Sequence, residues 1–596
     1  MKHPLILLLL FFNQFLILNS AEIKINSPID GNVAIVIDRK DGTRVANLVA
    51  QVPVKKGSNT FHWNLKDEWG DAVAPGTYKW KAIISPRIME LHYRMQPYPN
   101  IASHSPNSRP WEGGPKDGWL SNHGSAKSVC AVNGRTYLSS AGTEGGHSVA
   151  VLNKKGEKVW GRSRGTQFMF KDWQGKLYTL WGTTINSWDQ KTNKETKLLN
   201  VKGPIHAIAA WKGKMYVVFG KKDASQMTVY DIKTKKQLWT KPITLKGTYK
   251  NPTNRMSFTK SGKLFAVSGN TIVEINLKTM KLKTFLDKKF KLVTIFAIDE
   301  KDQFYVWDQG NKANTWSGAC KVYDKSGKFK LQIGKDIPVK TGPYDPYVFP
   351  EAVSMSVDNG FLWLVYPHDN PRRLTKFKTS GGFVMDYFGN TYYGGGGELD
   401  ITEPSDNTYV YYRAFAFKIN LKTGENKLSH FLSLNFWEST LFGNAFRMAW
   451  TTQRVNKRKY FVNKPASHRF FMHPSIGAVW VYEEDKKRVR FAAAFGNAGQ
   501  FLHFQMKPGP WSKTKIASIV KAHMAKTGQN IKNLFFMWSD LNGNGDMDLK
   551  EITFKELKGY NGYMGNFDHE LGLQMGNTRF VVSKFLSNGT PIYKEK

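Results

Sequence analysis

The sequence predicts an all-β protein: a small β-sandwich near the N-terminus, then a ring of seven or eight four-stranded units, and a calcium-type loop near the C-terminus. Three observations carry this expectation. Short stretches alternate apolar and polar residues with a period of two. Two turn motifs recur in strict alternation along the middle of the chain. A twelve-residue run of Asp, Asn and Gly close to the end places oxygen donors at metal-binding spacing.

The first twenty residues address the compartment. Met1, Lys2 and His3 form a basic start, and Pro4 to Leu18 is almost wholly apolar, broken by Asn13 and Gln14. Asn19, Ser20 and Ala21 then offer small residues for cleavage, the layout of a secretory signal peptide over residues 1–21. The run is too short and too interrupted for the roughly 20 apolar residues a membrane span needs. The expected location is therefore secreted, periplasmic or cell-surface, with no transmembrane segment.

Between Glu22 and about Pro86 the alternation marks short strands, separated by turns at Asp41–Gly42, Lys56–Gly57 and Pro75–Gly76. Phe61 and Trp63 share one strand face, as do Tyr78 and Trp80, because side chains alternate across a strand. Gly57, Asn59, Phe61, Trp63, Gly70, Val73, Pro75, Gly76 and Tyr78 match in order the pattern of the FlgD/Vpr-type immunoglobulin-like module, which residues 22–90 resemble. That resemblance implies an immunoglobulin-like β-sandwich acting as a spacer or assembly domain. Residues 91–114 read as a linker.

Two hairpin elements alternate from about residue 115 to 510. The first is a tight turn followed by an aromatic, as at Asn133–Tyr137, Gln174–Tyr178, Lys212–Tyr216, Ser261–Phe265, Lys301–Tyr305 and Asn359–Trp363. The second is an Asp or Asn followed by Lys and a small residue, ending near Gly156, Thr192, Thr234, Thr279, Gly327, Gly381 and Gly424, with a degenerate copy at Val481–Lys486. Two hairpins per period of 40–55 residues make one four-stranded propeller blade. Val229 to Trp239 is the best copy of a motif that is similar to PQQ-like and NHL-like β-propellers, so the expected fold is a seven- or eight-bladed β-propeller. Quinoprotein members often carry a vicinal Cys pair, whereas the two cysteines here, Cys130 and Cys320, are far apart. Two cysteines also exclude a disulfide scaffold and an iron–sulfur cluster.

Asp540, Asn542, Asn544, Asp546, Asp548 and Glu551 fall at positions 1, 3, 5, 7, 9 and 12 of an EF-hand-like loop, with Gly545 at the sharp turn. Hard oxygen donors at this spacing suit calcium. Leu534–Trp538 before the loop reads as a buried strand and no second loop is present, so a structural calcium clip is expected rather than a sensor. Residues 511–596 hold this loop and a possible closing blade.

Lys and Arg outnumber Asp and Glu by 39, an excess spread along the chain. Runs such as Lys235–Lys236, Lys288–Lys289 and Lys486–Lys487–Arg488 sit at expected hairpin tips. In an exported protein this charge points to anionic polysaccharide or a cell-envelope polymer rather than to nucleic acid. The expected function is a non-enzymatic binding or scaffold protein; the alternative is a propeller enzyme, a polysaccharide lyase, glycosidase or quinoprotein-like oxidoreductase. Weaker candidates are His123, His147, His206, His368, His468 and His473 as scattered channel residues and Arg372–Arg373 as an anion contact. Trp111, Trp119, Trp173, Trp211, Trp307 and Trp363 are candidate sugar-stacking groups.

Overall fold

The computed structural model describes residues 20–86 and 125–596, except 141–146, 157, 163–167, 222–223, 248–250, 288–289, 311–316, 350, 368–372, 389–396, 401, 403–406, 413–414, 421–425, 434–449, 464–475, 499–512, 531–533, 547, 557–563 and 576. Residues 1–19 of the expected signal peptide and the whole expected linker lie outside the described residues, as do Lys288–Lys289; Ala21, the last residue of that expected peptide, opens the first strand. The chain divides into two compact units, one of Gln96–Lys340 and Tyr344–Tyr393, the other of Met1–Met95, Thr341–Pro343 and Gly394–Lys596.

The first of these units is built from six consecutive four-stranded antiparallel sheets spanning Ala126–Arg162, Phe168–Asn200, Ile205–Pro242, Met256–Leu286, Val293–Ile333 and Ser354–Phe388. In each sheet the strands pair in chain order. The first strand of each sheet neighbours the first strands of the sheets before and after it, and Ser354–Asp358 of the sixth lies beside Ala126–Val132 of the first. The arrangement is that of a β-propeller. Six separate apolar cores fill the gaps between sheets, because alternate residues of one strand face opposite neighbours. Leu138 packs with Trp363 and Leu374 of the sixth sheet, while the adjoining Tyr137 packs with Leu177 and Trp188 of the second.

The recurring turns have a physical basis. At Asn133–Gly134, Lys212–Gly213 and Asn359–Gly360 both central residues have positive φ, the two-residue turn that matches strand twist. The turns after Asp172 and Asp299 are longer. Asp172 Oδ1 accepts the N–H groups of Gln174 (3.0 Å) and Lys176 (2.9 Å), and Asp299 Oδ1 those of Lys301 (2.9 Å) and Gln303 (2.8 Å). Their second oxygens take the hydroxyls of Tyr178 and Tyr305, which explains the aromatic after each turn. In the second motif Asp231 Oδ1 accepts the Thr234 N–H (2.7 Å) and hydroxyl (2.9 Å), and Asn276 Oδ1 the N–H groups of Lys278 and Thr279.

Ring closure between the sixth and first sheets is stitched by side chains. Val129 N–H donates to Ser354 Oγ (3.1 Å), Ala131 N–H to Ser356 Oγ (2.9 Å) and Gly134 N–H to an Asp358 oxygen (3.3 Å). Lys171 of the second sheet reaches over the seam, donating to Ala131 O (2.7 Å), Val357 O (3.0 Å) and Asp358 Oδ1 (2.9 Å). Lys171→Met removes a charged donor from three acceptors at once and is expected to destabilise this unit by roughly 1–3 kcal/mol in urea unfolding.

The other unit contains the N-terminal strands and three further sheets. Ala21–Ser27 pairs with Gly57–Trp63, and Gly31–Arg39 pairs on either side with Arg44–Val54 and Tyr78–Ser85. These two sheets share one core around Ile23, Val33, Ile35 and Trp63. A five-stranded sheet includes Asn407–Tyr412 and Phe415–Asn420, a six-stranded sheet runs from Trp450 to Glu556, and a four-stranded sheet from Met564 to Glu595. Leu534–Ser539 is a buried strand, as its apolar run predicts. The motif copies near Gly424 and at Val481–Lys486 belong to this unit, so residues 115–510 are shared between the two units.

The N-terminal sandwich is fastened to the turn Asp568–Gly572. Trp69 Nε1 donates to Asp568 Oδ2 (2.7 Å), and the Arg579 guanidinium lies 4.2 Å from the centre of a Trp69 ring while donating to Asp71 Oδ2 (2.6 Å). Arg39 pairs with Glu570 at 2.8 Å. Arg579→Ala deletes a stacked cation and an ion pair together. Its expected cost is roughly 1–3 kcal/mol, with faster hydrogen exchange at Trp69–Asp71 as the specific readout.

Candidate functional site

Among the described residues, two places gather the groups most able to hold a ligand: a pocket on the propeller axis and the loop at 540–551. The axial pocket follows from how the inner strands are laid down. All six contribute to its wall, among them Val129, Met169, Ile208, Phe258, Phe296 and Met355. Its volume is about 360 Å³, within the range of small-ligand sites.

One end of the channel is stoppered. Asn251 Nδ2 donates to Val353 O (2.8 Å), and Ile208 N–H donates to Pro252 O (3.2 Å). Asn254 Nδ2 donates to Met355 O (2.8 Å), its Oδ1 accepts the Ser354 hydroxyl (2.6 Å), and its carbonyl accepts Phe296 N–H (2.9 Å). The segment 251–254 thus bonds to inner strands of the third, fifth and sixth sheets, and Thr253 and Asn254 floor the pocket. Among the described residues the opposite end is open and ringed by the inner hairpin turns, with Asn133, Trp173, Gln174, Lys260, Glu300 and Asp358 at the mouth.

The mouth is electrostatically unlike the chain as a whole. Asp172, Asp299, Glu300 and Asp358 line it against Lys171 and Lys260. Lys171 is paired with Asp358. Burial pushes the Asp172 and Asp299 carboxyls up, against the pull of their backbone N–H donors. Trp173 is 41% exposed, an indole presented to solvent beside a cavity.

In the second place, the twelve-residue loop, backbone and side chains are already organised. Glu551 is the hub: its Oε1 accepts the N–H groups of Leu541 (2.9 Å) and Asn542 (3.2 Å), and its Oε2 those of Asp548 (3.2 Å) and the Trp538 indole (3.0 Å). Asp540 is fully buried; its Oδ1 accepts Gly543 N–H (2.9 Å) and its Oδ2 faces the Arg490 guanidinium. Asn542 and Asn544 each accept the N–H two residues on, at 2.9 and 2.7 Å. Gly543 and Gly545 have φ of +79° and +75°, conformations that favour glycine. Burial pushes the Asp540 carboxyl up, against the pull of Arg490 and the Gly545 N–H. Carboxylates and carboxamides carry lone pairs beyond those these bonds use, and the donor set fits a hard cation such as calcium. Among the described residues, no three His, Cys, Asp or Glu side chains converge closely enough to hold a metal by themselves; Asn oxygens and backbone carbonyls would have to complete the shell.

The remaining candidates separate. His147 is buried, His206 bonds the Gly220 carbonyl at 2.7 Å, and the other four histidines lie outside the described residues. Arg373 is committed inside the fold, donating to Val348 O (2.6 Å) and to Tyr344 and lying 4.1 Å from the centre of the Phe349 ring, so it is no anion contact; Arg372 lies outside the described residues. Trp307 and Trp363 are core and Trp211 packs partly buried against Phe258. Trp111 and Trp119 are outside the described residues. Only Trp173 of the six is both described and exposed. Sequence reasoning missed the channel stopper, whose sole local sign is the Asn251–Pro252 turn dipeptide.

No family model matches the chain, and no curated protein matches it in sequence. Among solved structures it is similar to Kuenenia stuttgartiensis hydrazine synthase, at 11% identity and a TM-score of 0.31 over 52% of this chain and 96% of that one. It is similar to Kluyvelomyces marxianus Hsv2 at 11% identity and a TM-score of 0.28, covering 52% and 98%. A protein of unknown function from Bacteroides caccae gives 12% identity and a TM-score of 0.29, covering 41% and 90%. No helix among the described residues is long and apolar enough to cross a membrane.

Proposed function

We propose that the protein is an exported, non-enzymatic β-propeller binding protein that attaches to an anionic glycan or cell-envelope polymer. In this reading residues 126–388 form a six-bladed propeller, residues 22–90 an immunoglobulin-like module, and residues 540–551 a structural calcium clip. The carrying observation is a lysine repeated with the blades. Lys191, Lys233, Lys278 and Lys325 all sit exposed in the second turn of consecutive sheets, each one or two residues after the Asp or Asn that organises the turn. Regularly presented ammonium groups bind a polyanion by releasing its condensed counterions. Lys235, Lys236, Lys486 and Lys487 are exposed as well and extend the basic surface.

The test is retention of the mature protein on sulfated, carboxylated and neutral polysaccharide columns at low and high salt. Retention on the two charged polymers, weakening with salt, is expected. Replacing all four turn lysines by alanine should lower the slope of log affinity against log salt by about three to four units. Equal retention on neutral polymer, or none on any column, overturns the reading.

A further inference from the structure

The axial pocket is blind, and its charge is opposite to that of the chain. A through-channel could admit the middle of a polymer, whereas a pocket floored by Thr253 and Asn254 admits only a chain end or a small free molecule. Four acidic residues and two lysines line the pocket at and below the mouth, and one of those lysines, Lys171, is already paired with Asp358, in a protein with an excess of 39 cations. That local inversion disfavours an acidic ligand here and favours one carrying positive charge. The exposed indole of Trp173 offers a flat apolar face to a sugar ring, and the same face attracts an ammonium group.

We propose that this pocket binds the terminal residue of an amino-sugar oligomer, its ring against Trp173 and its ammonium group among the mouth carboxylates, with Glu300 the exposed one. The proposal rests on the reading of the protein as glycan-binding, but it assigns a second site, separate from the lysine-bearing blade turns and selecting the opposite charge. Lys260 is the residue at the mouth that works against this ligand.

The experiment is calorimetric titration of the full mature protein with a glucosamine tetrasaccharide and its fully N-acetylated counterpart, at about pH 6, where a sugar amine is charged. One tetrasaccharide per protein is expected, with the acetylated form bound at least about tenfold more weakly. Trp173→Ala should weaken binding roughly tenfold. Lys260→Glu should tighten it several-fold, a gain that a damaged fold cannot produce. A long glucosamine polymer should take up protein in proportion to its number of ends, not its length. Equal binding of the acetylated form, wild-type affinity in both variants, or uptake that scales with polymer length would each overturn the proposal. Retention on sulfated polymer is measured in parallel: its loss with pocket binding intact sinks the surface reading alone, and the converse sinks the pocket alone.

Discussion

Replacing Lys459 with methionine is expected to cost about 3–5 kcal/mol, because it strands a buried carboxylate. The side chains of Lys459 and Asp400 are 2% and 0% exposed and meet at 2.7 Å. Asp400 also accepts the hydroxyls of Thr402 (2.6 Å) and Tyr411 (2.8 Å). Burial alone would raise the Asp400 carboxyl, but Lys459 and the hydroxyl donors outweigh it and hold it below its ordinary value. Replacing both partners, Asp400→Leu with Lys459→Met, should recover much of the loss, since a buried ion pair is worth little against apolar groups of similar shape. Urea unfolding of the single and double variants checks this.

The same core carries a pH signature. His430 is wholly buried, bonded to Tyr482 Oη at 3.2 Å, and pushed down to about 4 by burial, with Lys487 and Lys459 adding to it. An imidazole in the unfolded chain titrates near 6.5, so the unfolded state takes up the proton first. Stability is therefore complete above about pH 6.5 and falls as the pH drops towards about 4, by at most about 3 kcal/mol. The depressed carboxyl of Asp400 adds a further loss at lower pH, as that group too is protonated first in the unfolded chain. His430→Gln should flatten the upper part of this profile. A wild-type slope in that variant would place the titration elsewhere.

Calcium removal is the second large expected effect. If the clip is saturated at a hundred times its dissociation constant, chelation removes about 2.7 kcal/mol. For a unit of this size that lowers the unfolding temperature by roughly 4–5 °C. Glu551→Gln should abolish the calcium response, since it withdraws one charged oxygen from the loop. Asp540→Ala should be worse even without calcium, because Arg490 would lose its closest buried carboxylate and keep Thr590, the Asn588 carbonyl and the more distant Glu483 at 3.9 Å. Scanning calorimetry with and without chelator separates the two. Identical transitions in both conditions, with no calcium bound at equilibrium dialysis, would contradict the clip.

What was legible in the sequence is what is local. The period of two, the Asn–Gly turns and the Asp-led turns each involve residues within five positions of one another, and they appear in the structure as hairpins. Ring membership was not legible, for the same reason: the strands on either side of the motif near Gly424, and the motif at Val481–Lys486, pair as antiparallel neighbours in a unit outside the six sheets. A turn motif reports a hairpin and says nothing of which sheet lies beside it. The axial pocket is assembled from six strands spread over residues 129–358, and the stopper from one tetrapeptide bonded to residues as much as 124 positions away. Likewise Lys459 is 59 residues from Asp400, and Arg490 is 50 from Asp540; no periodicity links such partners. Trp173 differs from Trp307 only in lying on a turn instead of in a strand, a distinction the turn motif Asp172–Lys176 carried but composition did not.

The two proposed modes of glycan binding, by surface charge and by the pocket, rest on opposite electrostatics. A competition titration tests this most directly: a sulfated polysaccharide and a glucosamine tetrasaccharide are titrated against the same full-length protein, singly and together, across a salt series. Independent binding of the two is expected, with the sulfated polymer lost steeply as salt rises and the tetrasaccharide held at one per protein. Mutual displacement of the two ligands, or failure of both to bind at low salt, would contradict it.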